Sequence, residues 1–432
     1  MENTDLRITK IILENIRCFE YAEIDCKATA LGVILGDNGV GKSTLLKSIA
    51  LGLSSPKTTL GLFEQGGMPW LRRGAQSGRI RLEFNNGDAS ESTIRLETYG
   101  EILSPGGSPW ELEHEQVLVC GYGAARRAFG DKSYSSYSLR EAVGTLFDYD
   151  AKLQNPELIL RRLLPPDGDS HRVLSWLDKI LLLPDGSVQL KPTGLEINGP
   201  WGDFTPVGAL SDGYRATLAW LLDFLGWVMY FNPAMLTSGV RGIVLVDEIE
   251  QHLHPLWQRQ IYQLLTKMFP DVQFITTTHS PLCVIGTTDL ADKDVSLIHL
   301  QRRGDAVEAV SGLQPPRGMR ADQVLTSFLF GLETTGDNQT KFEVERLAKL
   351  LSQPERTTAE ADEVERLRQS LNGKLGSDET ELGRQVERAA KNATEQQFEK
   401  LLNSSQPAVR SFNLASSAVD FEIKRQLKEL LK

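Results

Sequence analysis

The stretch that most restricts the fold is "ALGVILGDNGVGKSTLLKSIA", residues 30 to 50. Its middle, Gly36 to Ser43, fits G-x-x-x-x-G-K-[ST] without a mismatch. The pattern has a chemical meaning: glycines let backbone N–H groups curl around phosphates, Lys42 reaches the β and γ oxygens, and the Ser43 hydroxyl goes to Mg²⁺. Gly36, Asp37, Asn38, Gly39, Gly41, Lys42, Ser43 and Thr44 are therefore the expected nucleotide-binding residues. Such a string also arises by chance, so its flanks decide. A continuous apolar run from Ala30 to Gly36 reads as a strand buried on both faces. Leu45, Leu46, Ile49, Ala50 and Leu53 then recur at helical spacing until "SSPK" breaks the helix. Strand, loop and helix in that order is the setting the motif requires.

Two later strand ends gain meaning from a phosphate loop. "IVLVDE", Ile243 to Glu248, is four apolar residues followed by two acids. Alone, it is a strand whose end faces water. Beside a phosphate site, Asp247 would hold the metal with Ser43, and Glu248 would polarise an attacking water, which suits hydrolysis better than transfer to a bulky acceptor. "TTTHSP", Thr276 to Pro281, ends another apolar strand, where the carboxyl ends of a parallel sheet gather around a ligand. His279 is read there as a sensor of the γ-phosphate and the attacking water. ATP and Mg²⁺ are the implied ligands.

The rest of the chain is consistent with a large α/β protein. With 432 residues, 41% hydrophobic and 24% charged, it can build a substantial core, and no apolar stretch free of charge is long enough to span a membrane. "MENTDLRITK" lacks the basic start and apolar run of an export signal, so the cytoplasm is the expected location. Cys18, Cys26, Cys120 and Cys283 form no metal or disulfide spacing. The net charge of −10 argues against a surface that attracts phosphate backbones generally. The pairs Arg72/Arg73, Arg126/Arg127, Arg302/Arg303 and Arg317/Arg320 are local positive patches, read as solvated faces or structural pairs. "RITKIILENI" and "YAEIDC" read as strands, the segment from Ile80 to Leu96 as a hairpin, residues 133 to 183 as largely helical, and "SVQLKP" and "GLEING" as short strands. "VSLIHL" is expected to be the last strand, with helices after Asp294. Beyond residue 337 the segments are charged and amphipathic, with Thr357-x-x-Glu360 as a capping box.

"ILENIRCFE", the phosphate loop, "LSDGYR", "IVLVDEIEQHLHP" and "ITTTHSP", in this order, resemble an ABC-type ATPase head of the SMC, RecF and OLD-like group. The resemblance implies an α/β P-loop NTPase with an antiparallel β subdomain, a helical insertion and a C-terminal helical region. The divisions expected are 1–132, 133–186, 187–336 and 337–432. It also implies that "LSDGYR" is a signature motif, with Ser211 and Gly213 addressing a nucleotide held by a second copy of the chain across an ATP-bonded homodimer or larger oligomer. Arg17 matches an N-terminal arginine that contacts phosphate in such heads. One departure concerns the glutamine usual at the end of a strand in the first half: "VLVCGYGAARR" has none, so Gly121 to Gly123 replaces that loop or Gln65 serves. "HLHP", "GYGAARR" and "LFDYDAKLQNPE" look like the OLD-family and Septu-type phage-defence ATPases, without a Toprim domain; "DKD" at Asp292 to Asp294 reads as a turn. The expected function is an ATP-driven switch that controls a separate effector, a nuclease, in anti-phage defence. The alternatives are a RecF-like DNA-clamping maintenance ATPase, in which nucleic acid would be a partner, and a scaffold that binds ATP with little turnover.

Overall fold

The computed structural model describes residues 6–67, 69–105, 117–126, 134, 136–163, 171–192, 194–199, 202–332 and 357–375, with single positions between 339 and 350. These fall into two compact units that divide between Arg317 and Gly318, ahead of the expected 337.

The first unit is built on a six-stranded sheet ordered β14-β13-β3-β12-β11-β7. Its strands are β3 (Leu31–Gly36), β7 (Val119–Tyr122), β11 (Gly242–Val246), β12 (Val272–Thr277), β13 (Val295–Arg303) and β14 (Ala306–Leu313). All neighbours pair in parallel except β13 and β14. Every residue of β7, β11 and β12 is buried, and β11 reads accordingly as an unbroken apolar run. "VSLIHL" is not the last strand: β13 turns through Gly304 into the antiparallel edge strand β14, so strand rather than helix continues past Asp294. β14 joins the same sheet, and Asp292 to Asp294 form the expected turn.

A second sheet, β2-β1-β4-β5-β6, is antiparallel. It comprises β1 (Ile8–Ile16), β2 (Phe19–Asp25), β4 (Ser77–Phe84), β5 (Ala89–Glu97) and β6 (Gly100–Pro105). Ile11, Leu13, Ile80 and Leu82 point inward by strict alternation, while Glu14, Arg79, Arg81 and Glu91 form ion pairs on the other face. Helix α1 (Lys42–Gly52) lies in the core with both sheets, through Leu45, Leu46, Ile49 and Ala50. At one edge the sheets are tied together: the Asp25 N–H donates to Ser311 Oγ at 3.1 Å and the Val307 N–H to the Cys18 carbonyl at 3.1 Å.

The "SSPK" break resolves into a second helix, α2 (Pro56–Gln65), since Ser55 caps it and Pro56 opens it at a position where no N–H is needed. The helical stretch that follows β7 is made of short pieces, α3 (Leu139–Ala142), α4 (Gly144–Phe147), α5 (Pro156–Leu163) and α6 (His171–Ile180). Three small strands, β8 (Val188–Lys191), β9 (Gly194–Asn198) and β10 (Phe204–Pro206), form a separate sheet. Then come α7 (Asp212–Phe231), α8 (Met235–Ser238), α9 (Pro255–Met268) and α10 (Pro281–Gly286). No helix among the described residues is long and apolar enough to cross a membrane.

The second unit contains α11 (Ala321–Leu325) and α12 (Thr358–Leu375), with Val324, Leu350 and Val364 buried. The capping box is present: the Thr357 N–H donates to Glu360 Oε2 at 2.9 Å and the Glu360 N–H to Thr357 Oγ1 at 3.4 Å. The amphipathic segments expected after residue 376 lie outside the described residues.

Candidate nucleotide site

The strand order explains how residues far apart in sequence meet. β12 separates β3 from β11, so the carboxyl ends of all three lie side by side, with the phosphate loop on one flank and the acids on the other. Gly39 and Gly41 take left-handed backbone angles, φ +77° and +98°, that turn the loop over. At Gly41 a Cβ would strike the Cys18 sulfur and the Phe19 ring. The first intrahelical bond of α1 runs from the Leu45 N–H to the Gly41 carbonyl at 2.8 Å, so the amides of Lys42, Ser43 and Thr44 head the helix with no intrahelical acceptor. This is a site built for an anion.

Lys42 is 7% exposed, and its ammonium donates to the carbonyls of Gly36 at 2.7 Å and Asp37 at 2.8 Å. Burial lowers its proton affinity, while Asp247, Glu248, Asp37 and Glu250 oppose that shift. Ser43 Oγ donates to Asp247 Oδ2 at 2.5 Å. Thr277, the last residue of β12, completes the cluster: its hydroxyl donates to Asp247 Oδ1 at 2.6 Å and accepts the Glu248 N–H at 2.7 Å. The Asp247 N–H in turn donates to the Tyr122 carbonyl at 2.8 Å, extending the sheet ladder past β11. The donor set fits magnesium carried in by a nucleotide. Ser43 and Asp247 offer hard oxygens, and no group of three acidic, His or Cys side chains among the described residues forms a metal cage, leaving the remaining positions for phosphate and water.

Glu248 sits half-buried with φ +48°, a conformation costly for a residue with a Cβ and usual only where neighbours enforce it. Two bonds enforce it, from the Glu248 N–H to Thr277 Oγ1 and from Arg126 Nη2 to the Glu248 carbonyl at 2.6 Å. His279 follows β12 and is half-buried; its N–H donates to Glu250 Oε1 at 2.5 Å, and Ser280 next to it caps α10. The structure thus brings together Lys42, Ser43, Asp247 and Glu248 with Thr277, and adds Glu250 and Arg126, which sequence reasoning did not single out. Arg126, read from the sequence as part of a solvated face or a structural pair, is buried. Arg127 lies outside the described residues.

Ser211 is exposed at the N-cap of α7, and its side chain makes no capping bond to its own helix. Gly213 explains its own smallness: a Cβ there would lie 2.6 Å from the His252 carbonyl, so the start of α7 is pressed against the loop that follows Asp247 and Glu248. Arg17 is turned elsewhere. Its guanidinium stacks 4.2 Å over Trp70 and donates to the carbonyls of Gly66, Gly67 and Pro69. Gln65 is exposed at the end of α2, whereas Gly121 and Gly123 are small because α4 approaches them through Leu146 and Thr145.

Residues 10–138 match a family model described as "AAA domain", and residues 139–284 one described as "AAA domain, putative AbiEii toxin, Type IV TA system". Together these two models, both described as AAA domains, take in residues 10–284 of the chain. Among relatives, the Septu protein PtuA of Bacillus mycoides (strain KBAB4) is 27% identical over 378 residues, covering 84% of this chain and 50% of the relative. The chain thus spans about half the length of that relative. The Retron Vc95 probable ATPase of Vibrio cholerae serotype O1 biovar El Tor is 42% identical over 80 residues, 18% of this chain and 16% of that protein. A solved SMC head bound to the C-winged helix domain of ScpA is 20% identical with a TM-score of 0.45, covering 72% of this chain and 99% of that one.

Proposed function

We propose that this head binds and hydrolyses ATP, joins a second copy of itself around the nucleotide, and thereby switches a separately encoded effector, a nuclease, in anti-phage defence. The observation that carries the reading is the Ser43–Asp247–Thr277–Glu248 chain of hydrogen bonds beneath the phosphate loop. Lys42 and the leading amides of α1 bind the β- and γ-phosphates. Magnesium, held by Ser43 and Asp247, supplies charge neutralisation of the phosphates when bound. The Glu248 carboxylate accepts the proton of the attacking water, and His279 orients the terminal phosphate. The exposed Ser211 hydroxyl and the N-terminus of α7 then serve the partner copy's nucleotide, so ATP stands between two heads and hydrolysis releases them. Defence as the setting is supported by the Septu and retron relatives.

The test is Glu248→Gln, which keeps the shape and removes the base. In ATP and magnesium, light scattering on the size-excluded protein should report an assembly of at least twice the single-chain mass that persists in the variant and decays in the wild type. A variant that keeps single-chain mass, or hydrolyses ATP as fast as the wild type, overturns the reading.

A further inference from the structure

Arg126 is a buried cation of this site that, beyond holding the Glu248 backbone, has no part in the reaction proposed above. It follows β7 by four residues and is 7% exposed. Nη2 is spent on the Glu248 carbonyl, yet Nη1 is buried and has no hydrogen-bond partner. Burial pulls its proton affinity down to about 10, opposed by Glu250, Asp247 and Glu248 in that order, so it remains a full cation at neutral pH. Those same three carboxylates act on Lys42, so the two cations share one acid cluster. Glu250 shows the converse gap: Oε1 accepts the His279 N–H, and Oε2 is buried without a partner. A buried guanidinium N–H and a buried carboxylate oxygen, each unsatisfied and electrostatically coupled, would normally bond to one another. Here they do not, and the N–H is left for a third group. Beside Asp247 and Glu248 in a phosphate-binding site, that group is an anionic oxygen.

Resting on the nucleotide reading above, we infer that Arg126 is a γ-phosphate ligand supplied by the chain's own loop after β7. One arm of its fork holds the Glu248 backbone and the other the terminal phosphate. The residue therefore stands in for the glutamine that the family resemblance led one to expect after this strand. A planar fork suits two acceptors in fixed directions; an ammonium does not. The arrangement also makes the terminal phosphate and the base mutually dependent: the same guanidinium that meets the phosphate fixes the backbone of Glu248.

The test is calorimetric binding of AMP-PNP and of ADP, both with magnesium, to the full chain and to Arg126→Ala and Arg126→Lys. AMP-PNP affinity should fall about tenfold or more in R126A while ADP affinity stays within about twofold, because only the former carries a γ-phosphate. R126K should regain part of that loss. Equal AMP-PNP affinity in R126A and wild type, or an equal loss of both nucleotides, overturns the inference and leaves Arg126 as a prop for Glu248. If R126A does not fold, R126K decides alone: weakened AMP-PNP with unchanged ADP supports the inference, and unchanged AMP-PNP refutes it. A wild-type chain that binds neither nucleotide removes the nucleotide reading itself, and this assignment with it.

Discussion

Replacing Thr277 by valine exchanges one hydroxyl for a methyl in the middle of the site. Thr277 is fully buried, and its single oxygen both donates to Asp247 Oδ1 at 2.6 Å and accepts the Glu248 N–H at 2.7 Å. The loss of the bond to the carboxylate costs about 1.5–3 kcal/mol, and the stranded amide about 1 kcal/mol more. Burial of the new methyl returns about 0.8 kcal/mol. The net destabilisation should be about 2–3 kcal/mol, read from urea unfolding followed by tryptophan fluorescence. Thr277→Ser is the control, since it keeps the oxygen and gives up only a methyl, at about 1 kcal/mol. Hydrolysis should follow the oxygen too, because Glu248 at φ +48° loses one of the two bonds that hold it there. If T277V proves no less stable than T277S, the hydrogen-bond argument for the whole cluster fails.

Two further outcomes follow from named contacts. Asp223 on α7 is wholly buried, accepting the Tyr122 hydroxyl at 3.0 Å and the Gln154 N–H at 2.9 Å, and burial raises its pKa to about 6. The folded state therefore holds this proton more tightly than the unfolded chain, so its stabilising effect is complete below about pH 4 and is lost as pH rises to about 6. Compared with Asp223→Asn, the wild type should lose on the order of 2–3 kcal/mol across that window, measured by unfolding at stepped pH; parallel curves would refute it. If the nucleotide is shared between copies as proposed, Lys42→Ala and Ser211→Arg should each abolish turnover. An equal mixture should recover about a quarter of wild-type activity, since half of randomly paired dimers hold one intact site. A mixture as inactive as its components rules out the site shared between copies.

The phosphate loop and the two acids were legible because each is a contiguous string with an apolar strand in front. β3 and β11 are apolar runs buried on both faces, so composition alone marked them. What escaped were residues whose role depends on which strands are neighbours. Thr277 is one threonine among three in "TTTHSP", and only the order β3-β12-β11 puts it against Asp247. Arg126 looked like half of a charged surface pair, because nothing local reveals that the loop after β7 dives under Glu248. The second strand of the β13–β14 hairpin was missed because "AVEAVSGL" is small and weakly alternating and pairs only at the sheet's edge. Arg17, carried over by resemblance, is engaged by the 66–70 loop, which no motif recorded.

The position of β3 has a consequence for how the protein is made. The phosphate loop leaves the ribosome more than 200 residues ahead of both neighbours of β3, since β12 and β13 begin only at Val272 and Val295. Until they emerge, the apolar strand of a nascent chain has two unpaired edges and the loop after it has no wall. Folding is consequently bound to near-completion of synthesis of the first unit, with the slow closure expected of contacts so distant along the chain. A site assembled this way is incomplete while the chain is still half made.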